Sequence, residues 1–370
     1  ADEALRTIGQ ALHTITSIMD PAATGREAGA AAYPGLSERL DAIDVEEYWM
    51  AGILRTVYAM FHNDVERLHR YIGQARDGRD EWLAAASWML AAGAAENDGN
   101  IDETRAAAAE ALSRFRVLGE RWGLSTALQA VGNVRVFDGD LDGAVAAYTE
   151  ASRLLAELGH EEDMSQVQVR LAEIAARRGD MAMARELSES ARSAAETDGS
   201  PIGRGIIEAW SAAFEVTWGD LDRARPYYDA AERHLALFGP AHPAREHLEA
   251  MVAATGARIA IADKDLRAAR EQAVRCYRAA VAAQDMPVLA QASGVLAELA
   301  VALGRPERAV ELLAAITVVR GGDDPTDPTV VRLAPLLRAT LGEDRYEASY
   351  ASGKALDRAG AIKRLDPTLT

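Results

Sequence analysis

The chain has 370 residues, 49% apolar but only 6% aromatic, and a formal net charge of −17 from 57 acidic and 40 basic side chains. So acidic a surface repels phosphate backbones and anionic bilayers, which argues against direct binding to nucleic acid or a membrane. Cys276 is the lone cysteine, so no intrachain disulfide can form, a composition that suits a reducing cytoplasm. No apolar run approaches the roughly 18 residues that span a bilayer. The opening ADEALRTIGQALHTI lacks a basic n-region and a long apolar stretch, so it does not read as a signal peptide. Without an initiator Met, it is read as part of a larger protein.

Taken in order, Leu5, Ile8, Leu12, Ile15 and Ile18 recur at helical spacing, and Pro21 ends that helix. Asp20 to Pro34, rich in Ala and Gly, reads as a loop, and Leu36, Leu40 and Ile43 mark a short second helix. Residues 1–44 do not follow the pattern that comes next.

From residue 45 the chain repeats itself. Turn signals stand at Asn63-Asp64, Gly99-Asn100, Gly139-Asp140, Gly179-Asp180, Gly219-Asp220, Lys264-Asp265 and Gly304-Arg305. Four of the six spacings are 40 residues. Seven residues before each turn stand Thr56, Ala92, Gly132, Ala172, Ala212, Ala257 and Ala297. Five residues after stand Leu68, Thr104 and then alanines at 144, 184, 224, 269 and 309. Small side chains at fixed places let two helices of a hairpin, and then neighbouring hairpins, approach closely. Each hairpin leaves an apolar face that only its neighbours can cover, so the array must stack.

This pattern resembles the tetratricopeptide repeat (TPR), with its small residues at fixed positions and its Gly-Asp turn. The expected fold is all-α: a right-handed TPR-like α-solenoid of about seven helical hairpins with flanking helices. Residues 45–318 form the array, residues 1–44 precede it, and residues 319–370 cap its far end. The period departs from the usual length of about 34, and most repeats lack the proline after the second helix. In the tail, Gly321 to Pro328 reads as a loop, followed by helices over Thr329–Leu341, Glu343–Ala355 and Asp357–Leu365.

The resemblance implies a concave groove lined by the first helix of each hairpin. Carried over residue by residue, the groove candidates are Met50, Ile53, Val57, Met89, Glu96, Asn97, Gln129, Asn133, Phe137, Glu173, Arg177 and Arg258. Its N-terminal half is apolar and Met-rich, which suits an adaptable protein-binding surface. Asn133 stands where chaperone-binding members place an Asn that grips a peptide backbone or C-terminal carboxylate. The Lys expected four residues earlier is Gln129, which argues against such a clamp. Residues 1–44 folding back, or another domain, are alternative covers for this surface.

The patterns of catalysis are absent. Gly353-Lys354-Ala355 lacks the rest of a phosphate loop, no Gly-x-Ser-x-Gly occurs, and no histidine pair has metalloprotease spacing. His242 and His247, like the other histidines, read as exposed linker or helix-end residues. Asp138 to Gly143 matches the start of a calcium loop. The closing Glu is displaced to Glu150, and the segment falls on a repeat turn, so it reads as a turn in which Asp140 caps a helix. The acidic run Asp323 to Asp327 likewise reads as a solvated turn. The tryptophans read as core, with Trp88 and Trp218 packing between hairpins. No metal, no cofactor and no enzymatic activity are expected.

Two stretches carry a narrower resemblance. Arg116 to Leu128 (RVLGERWGLSTAL) and Leu341 to Leu356 (LGEDRYEASYASGKAL) resemble the linker and terminal segment of the repeat tails of SARP-like and LuxR-type actinobacterial regulators. Those regulators join DNA-binding and NTPase modules to the tail. The resemblance implies a cytoplasmic sensor domain that binds a partner protein, a peptide or a small inducer, the NTPase module of its own parent chain being one such partner. A free-standing TPR scaffold for protein–protein interaction is the alternative.

Overall fold

The computed structural model describes residues 2–369 apart from 20–32, 34, 46, 62, 63, 160, 199, 200, 240, 241 and 243. The expected loop at Asp20–Pro34 therefore lies, but for Tyr33, outside the described residues. Among the described residues every regular element is helical. Two helices come first, α1 (Asp2–Met19) and α2 (Leu36–Asp41). Seven antiparallel hairpins follow: α3 (Trp49–Phe61) with α4 (Val65–Arg76), α5 (Glu81–Asn97) with α6 (Ile101–Leu118), and α7 (Arg121–Phe137) with α8 (Leu141–Leu158). Next come α9 (Glu161–Arg177) with α10 (Met181–Asp198), α11 (Pro201–Thr217) with α12 (Leu221–Leu235), α13 (Arg245–Ala262) with α14 (Leu266–Ala283), and α15 (Met286–Ala302) with α16 (Pro306–Arg320). The tail adds α17 (Pro328–Leu341), α18 (Glu343–Lys354) and α19 (Arg358–Arg364). The chain is a TPR-like α-solenoid.

The turn inside each hairpin explains the recurring Gly-Asp. The chain reverses through a left-handed residue, Gly139 at φ +78° for example, which costs glycine nothing. The following Asp140 takes a hydrogen bond from the Gly143 amide at 2.9 Å and caps α8. Asp64, Asn100, Asp220 and Asp265 cap their helices in the same way. Lys264 holds the left-handed position without being glycine, at φ +62°. The calcium-loop match is thus a helix turn: Asp140 is a cap and Asp138 pairs with Arg105 at 2.7 Å.

The small residues do what their spacing requires. Ala144, Ala184, Ala224, Ala269 and Ala309 are all fully buried. A Cβ on Gly132 would sit 2.7 Å from the Tyr148 ring, so the α7–α8 approach depends on its absence. The RVLGERWG stretch is a packed corner. Gly119 ends α6 in the left-handed region, and Glu120 accepts the Trp122 and Gly123 amides. Gly123 lets α7 lie on the Phe115 ring, where a Cβ would come within 2.1 Å.

The two ends are closed differently. Ile8 and Ala11 of α1 and Leu36 and Leu40 of α2 pack with Ala51, Leu54 and Tyr58 of α3. At the other end α18 and α19 join the largest apolar cluster, built from α13 to α19. The solenoid also curves until its second hairpin reaches its seventh. A Cβ on Gly99, in the α5–α6 turn, would lie 2.2 Å from the Val319 carbonyl oxygen, and one on Gly321 would lie 2.1 Å from the Gly99 oxygen. Arg358 donates to that same Gly99 oxygen at 2.9 Å. The second hairpin and the seventh therefore touch.

Candidate recognition groove

The inner face is built by first helices. Across α5, α7 and α8 runs a polar strut: the Tyr148 hydroxyl donates to Asn133 Oδ1 at 2.5 Å, and Asn133 Nδ2 donates to Glu96 Oε2 at 3.3 Å. Asn133 thus spends its amide on the array itself. Burial pushes the Glu96 carboxyl above its usual range.

On α9, Arg170 and Arg177 flank Glu173 at 3.1 and 3.0 Å. Burial works against ionising Glu173, but Arg177 and Arg170 together hold its carboxyl below the usual range. Arg177 then reaches across the groove. Its Nη1 donates to Asp324 Oδ2 at 2.9 Å and to Thr326 Oγ1 at 2.7 Å. The Thr326 hydroxyl and amide both donate to Asp324 Oδ1 at 2.9 Å. Arg177 is 9% exposed and Asp324 7%. The acidic run expected as a solvated turn is therefore half inside the molecule. Burial likewise pushes the Asp327 carboxyl up. A run of charges looks solvated in a sequence because its partner is remote, here 147 residues away.

The same segment covers Phe137. That side chain, expected to line an open groove, is only 4% exposed. Gly322 lies on its ring, with an added Cβ 3.1 Å away, and the Arg320 guanidinium sits 5.1 Å from its centroid. Pro325 lies over the Gly139 turn. Phe137 and Arg177 are thus groove positions by register but not open ones. Arg258 is also engaged, pairing with Glu298 of α15 at 3.0 Å, and Arg332 of α17 bonds the same carboxylate. The described residues of 1–44 pack on α3, and Asp41 takes Arg67 and Tyr71 of α4. The cover over the middle of the groove comes from the other end of the chain.

The remaining candidates are less enclosed. Met50 is 43% exposed, Asn97 is exposed, and Ile53, Val57, Met89 and Gln129 are half-buried. Between α9 and α11 the face opens into a pocket of about 130 Å³, lined by Gln166, Val169, Arg170, Ile206, Ile207 and Trp210. Arg170 sits over the Trp210 ring at 5.1 Å. The groove assignment from the sequence passed over Arg170 and Trp210. Both occupy the same place in the repeat, 40 residues apart, and an Arg and a Trp in register on consecutive first helices is the signal that could have found them.

Trp88 packs as expected, half-buried against apolar residues of α4, α5 and α6, with Arg76 over its ring at 4.3 Å, and Trp218 is half-buried under Arg185 at 5.4 Å. Trp122 is 37% exposed, and Trp218 falls one residue beyond α11. His242, expected to be exposed, is buried edge-on against Phe238 at 4.8 Å and accepts the Ala244 amide. His247 pairs with Asp285, the cap of α15, at 2.7 Å. Among the described residues no group of three or more His, Cys, Asp or Glu could hold a metal ion, and no helix is long and apolar enough to cross a membrane.

No family model matches the sequence, and no curated protein does. Solved structures do match in fold. The chain is similar to Rap protein complexed with competence and sporulation factor, with a TM-score of 0.60 at 13% identity, covering 88% of this chain and 83% of that one. It is also similar to NprR in complex with its cognate peptide NprX, with a TM-score of 0.52 at 13% identity, covering 84% and 89%. At such identities the likeness is one of fold.

Proposed function

We propose that this chain is a non-catalytic sensor domain that takes a peptide, or a segment of a partner protein, in its concave groove. The observation that carries this reading is the pocket between α9 and α11. Val169, Ile206, Ile207 and Trp210 supply an apolar wall, and Gln166 and Arg170 supply polar groups at its edge. Apolar walls with a few convergent polar groups are what recognition sites are made of. The similarity in fold to Rap and NprR, each solved with a bound factor or peptide, supports a peptide over a small inducer. Burial pushes the Cys276 thiol up to about 12, which leaves the chain's one thiol unreactive and fits a non-catalytic role. In the finer reading, the domain is the regulatory tail of a transcriptional activator that also carries an NTPase module. Ligand binding would bias that parent between two states, which requires that the ligand prefer one of them.

Selection of peptides from a random display library against the purified chain tests the site. Binding of the selected peptides should weaken by about 2 kcal/mol, roughly 30-fold, in Trp210→Ala, because a central aromatic anchor carries that much. Circular dichroism should remain unchanged. Peptides that bind Trp210→Ala as well as the parent would overturn the groove assignment.

A further inference from the structure

We propose that Gly321–Asp327 is a built-in occupant of the groove, a clasp that holds the solenoid closed, and that the ligand is an acidic peptide segment that displaces it. This rests on the groove reading above and adds the chemistry of the ligand and the way the domain responds.

Three observations carry it. First, the segment sits where the repeat register puts a ligand. Phe137 and Arg177 occupy concave positions of α7 and α9, and the segment lies on both, joined over Phe137 by Arg320 of α16. Second, its hold is polar. Arg177 grips a carboxylate and a hydroxyl two residues apart, Asp324 and Thr326, while Gly322 on Phe137 and Pro325 over Gly139 add small apolar contacts. The glycines at 321 and 322 allow backbone to lie on the Gly99 oxygen and on the Phe137 ring. Third, the clasp is wired to the open pocket. Arg170 lines that pocket and bonds Glu173, which bonds Arg177, which bonds Asp324. A peptide lying along α9 from the pocket toward Arg177 must take the place of Asp324.

The occupant therefore displays the chemistry of its competitor: a carboxylate two residues before a hydroxyl, flanked on each side by a further carboxylate, Asp323 and Asp327. Gly321 lies on the Gly99 oxygen beside contacts from Val319 of α16, Met286 of α15 and Arg358, so displacing the segment loosens the second hairpin's hold on the seventh without removing it. Binding then becomes a loosening of the contact between these two hairpins.

The test uses the full chain and the labelled synthetic peptide GGDDPTDPT, the chain's own residues 321–329. In Asp324→Ala/Thr326→Ala, Arg177 loses the clasp but keeps Glu173. The peptide should bind this variant at least tenfold more tightly than the parent. Adding Arg177→Gln should abolish that binding, and the uncharged peptide GGNNPTNPT should bind neither. Amide exchange at residues 97–100 should quicken at least tenfold in the double variant, with the conservative Asp324→Asn falling between. A double variant with quickened exchange that ignores the peptide would overturn the acidic ligand. Unchanged exchange in a folded double variant would overturn the clasp. Neither result bears on the Trp210→Ala assay, so failure here is distinguishable from failure of the groove reading.

Discussion

Two of the places where the tail of this chain meets the array are built from opposite chemistry. Where α18 crosses α16, the contact is apolar and close. Tyr346 is 3% exposed, and a Cβ on Gly353 would lie 2.6 Å from the Glu311 carbonyl oxygen. Where residues 321–327 cross to α7 and α9, the contact is a buried ion pair and a few hydrogen bonds. Apolar burial is roughly proportional to area and needs no particular partner. A buried ion pair repays its desolvation only in one geometry. The first kind of contact suits a permanent cap. The second suits a joint that can exchange one carboxylate for another.

The largest effect should come from breaking the cap. Tyr346→Ala removes a buried ring from the main apolar cluster and should cost about 3–5 kcal/mol of stability by urea unfolding. The loss should be global, lowering the midpoint with the slope unchanged. If only the tail unfolded, in a separate early transition, the cap would be no more integral than the clasp.

A middle effect should come from Gly321→Ala. Its φ of +77° costs a side chain about 1–2 kcal/mol, and the new Cβ would also drive into the Gly99 oxygen at 2.1 Å. Exchange should quicken at residues 97–100 while α16 and α18 stay protected. Equal loss of protection at both places would show that the two contacts are one cooperative unit and dissolve the distinction.

The smallest effect is a slope. Burial raises the Glu96 carboxyl above its reference of 4.5, so the native state holds a proton that the unfolded chain has released. For a raised acid, stability is fullest below pH 4.5 and declines as pH rises toward the native value. Relative to Glu96→Gln, the parent should therefore lose stability as pH climbs through this window and level off above it. A difference that grows as pH falls would mean that Glu96 is held ionised instead, with Arg170 and Arg320 outweighing burial. Glu173, depressed by Arg177 and Arg170, carries the opposite sign, so the two carboxylates of the inner face are separable by this measurement.

Much of the array was legible because its causes are local. A left-handed residue followed by a capping Asp makes a helix reversal wherever it occurs, and small residues at fixed offsets report helix contacts one hairpin long. Even the corner at Gly119, Glu120 and Gly123 can be read this way, as stop, cap and close approach. The groove was legible only as a register. Asn97 and Phe137 stand at the same place one repeat apart, two residues before their turns, yet Asn97 is exposed and Phe137 is covered. The repeat register does not distinguish them. Asn133 carries the residue type of a peptide grip, yet its amide is committed to Tyr148 and Glu96 on neighbouring helices.

The sequence by itself determined the hairpins: their number, their turns and the small residues at which their helices touch. These follow from backbone preferences and side-chain size within about 40 residues. The curvature that closes the stack belongs to the tertiary structure alone, as do the meeting of Gly99 with Gly321 and the burial of Asp324 on Arg177. The physical reason is that small angles between successive hairpins accumulate along the solenoid. Where the tail arrives is a sum over every interface before it, and no single motif encodes a sum.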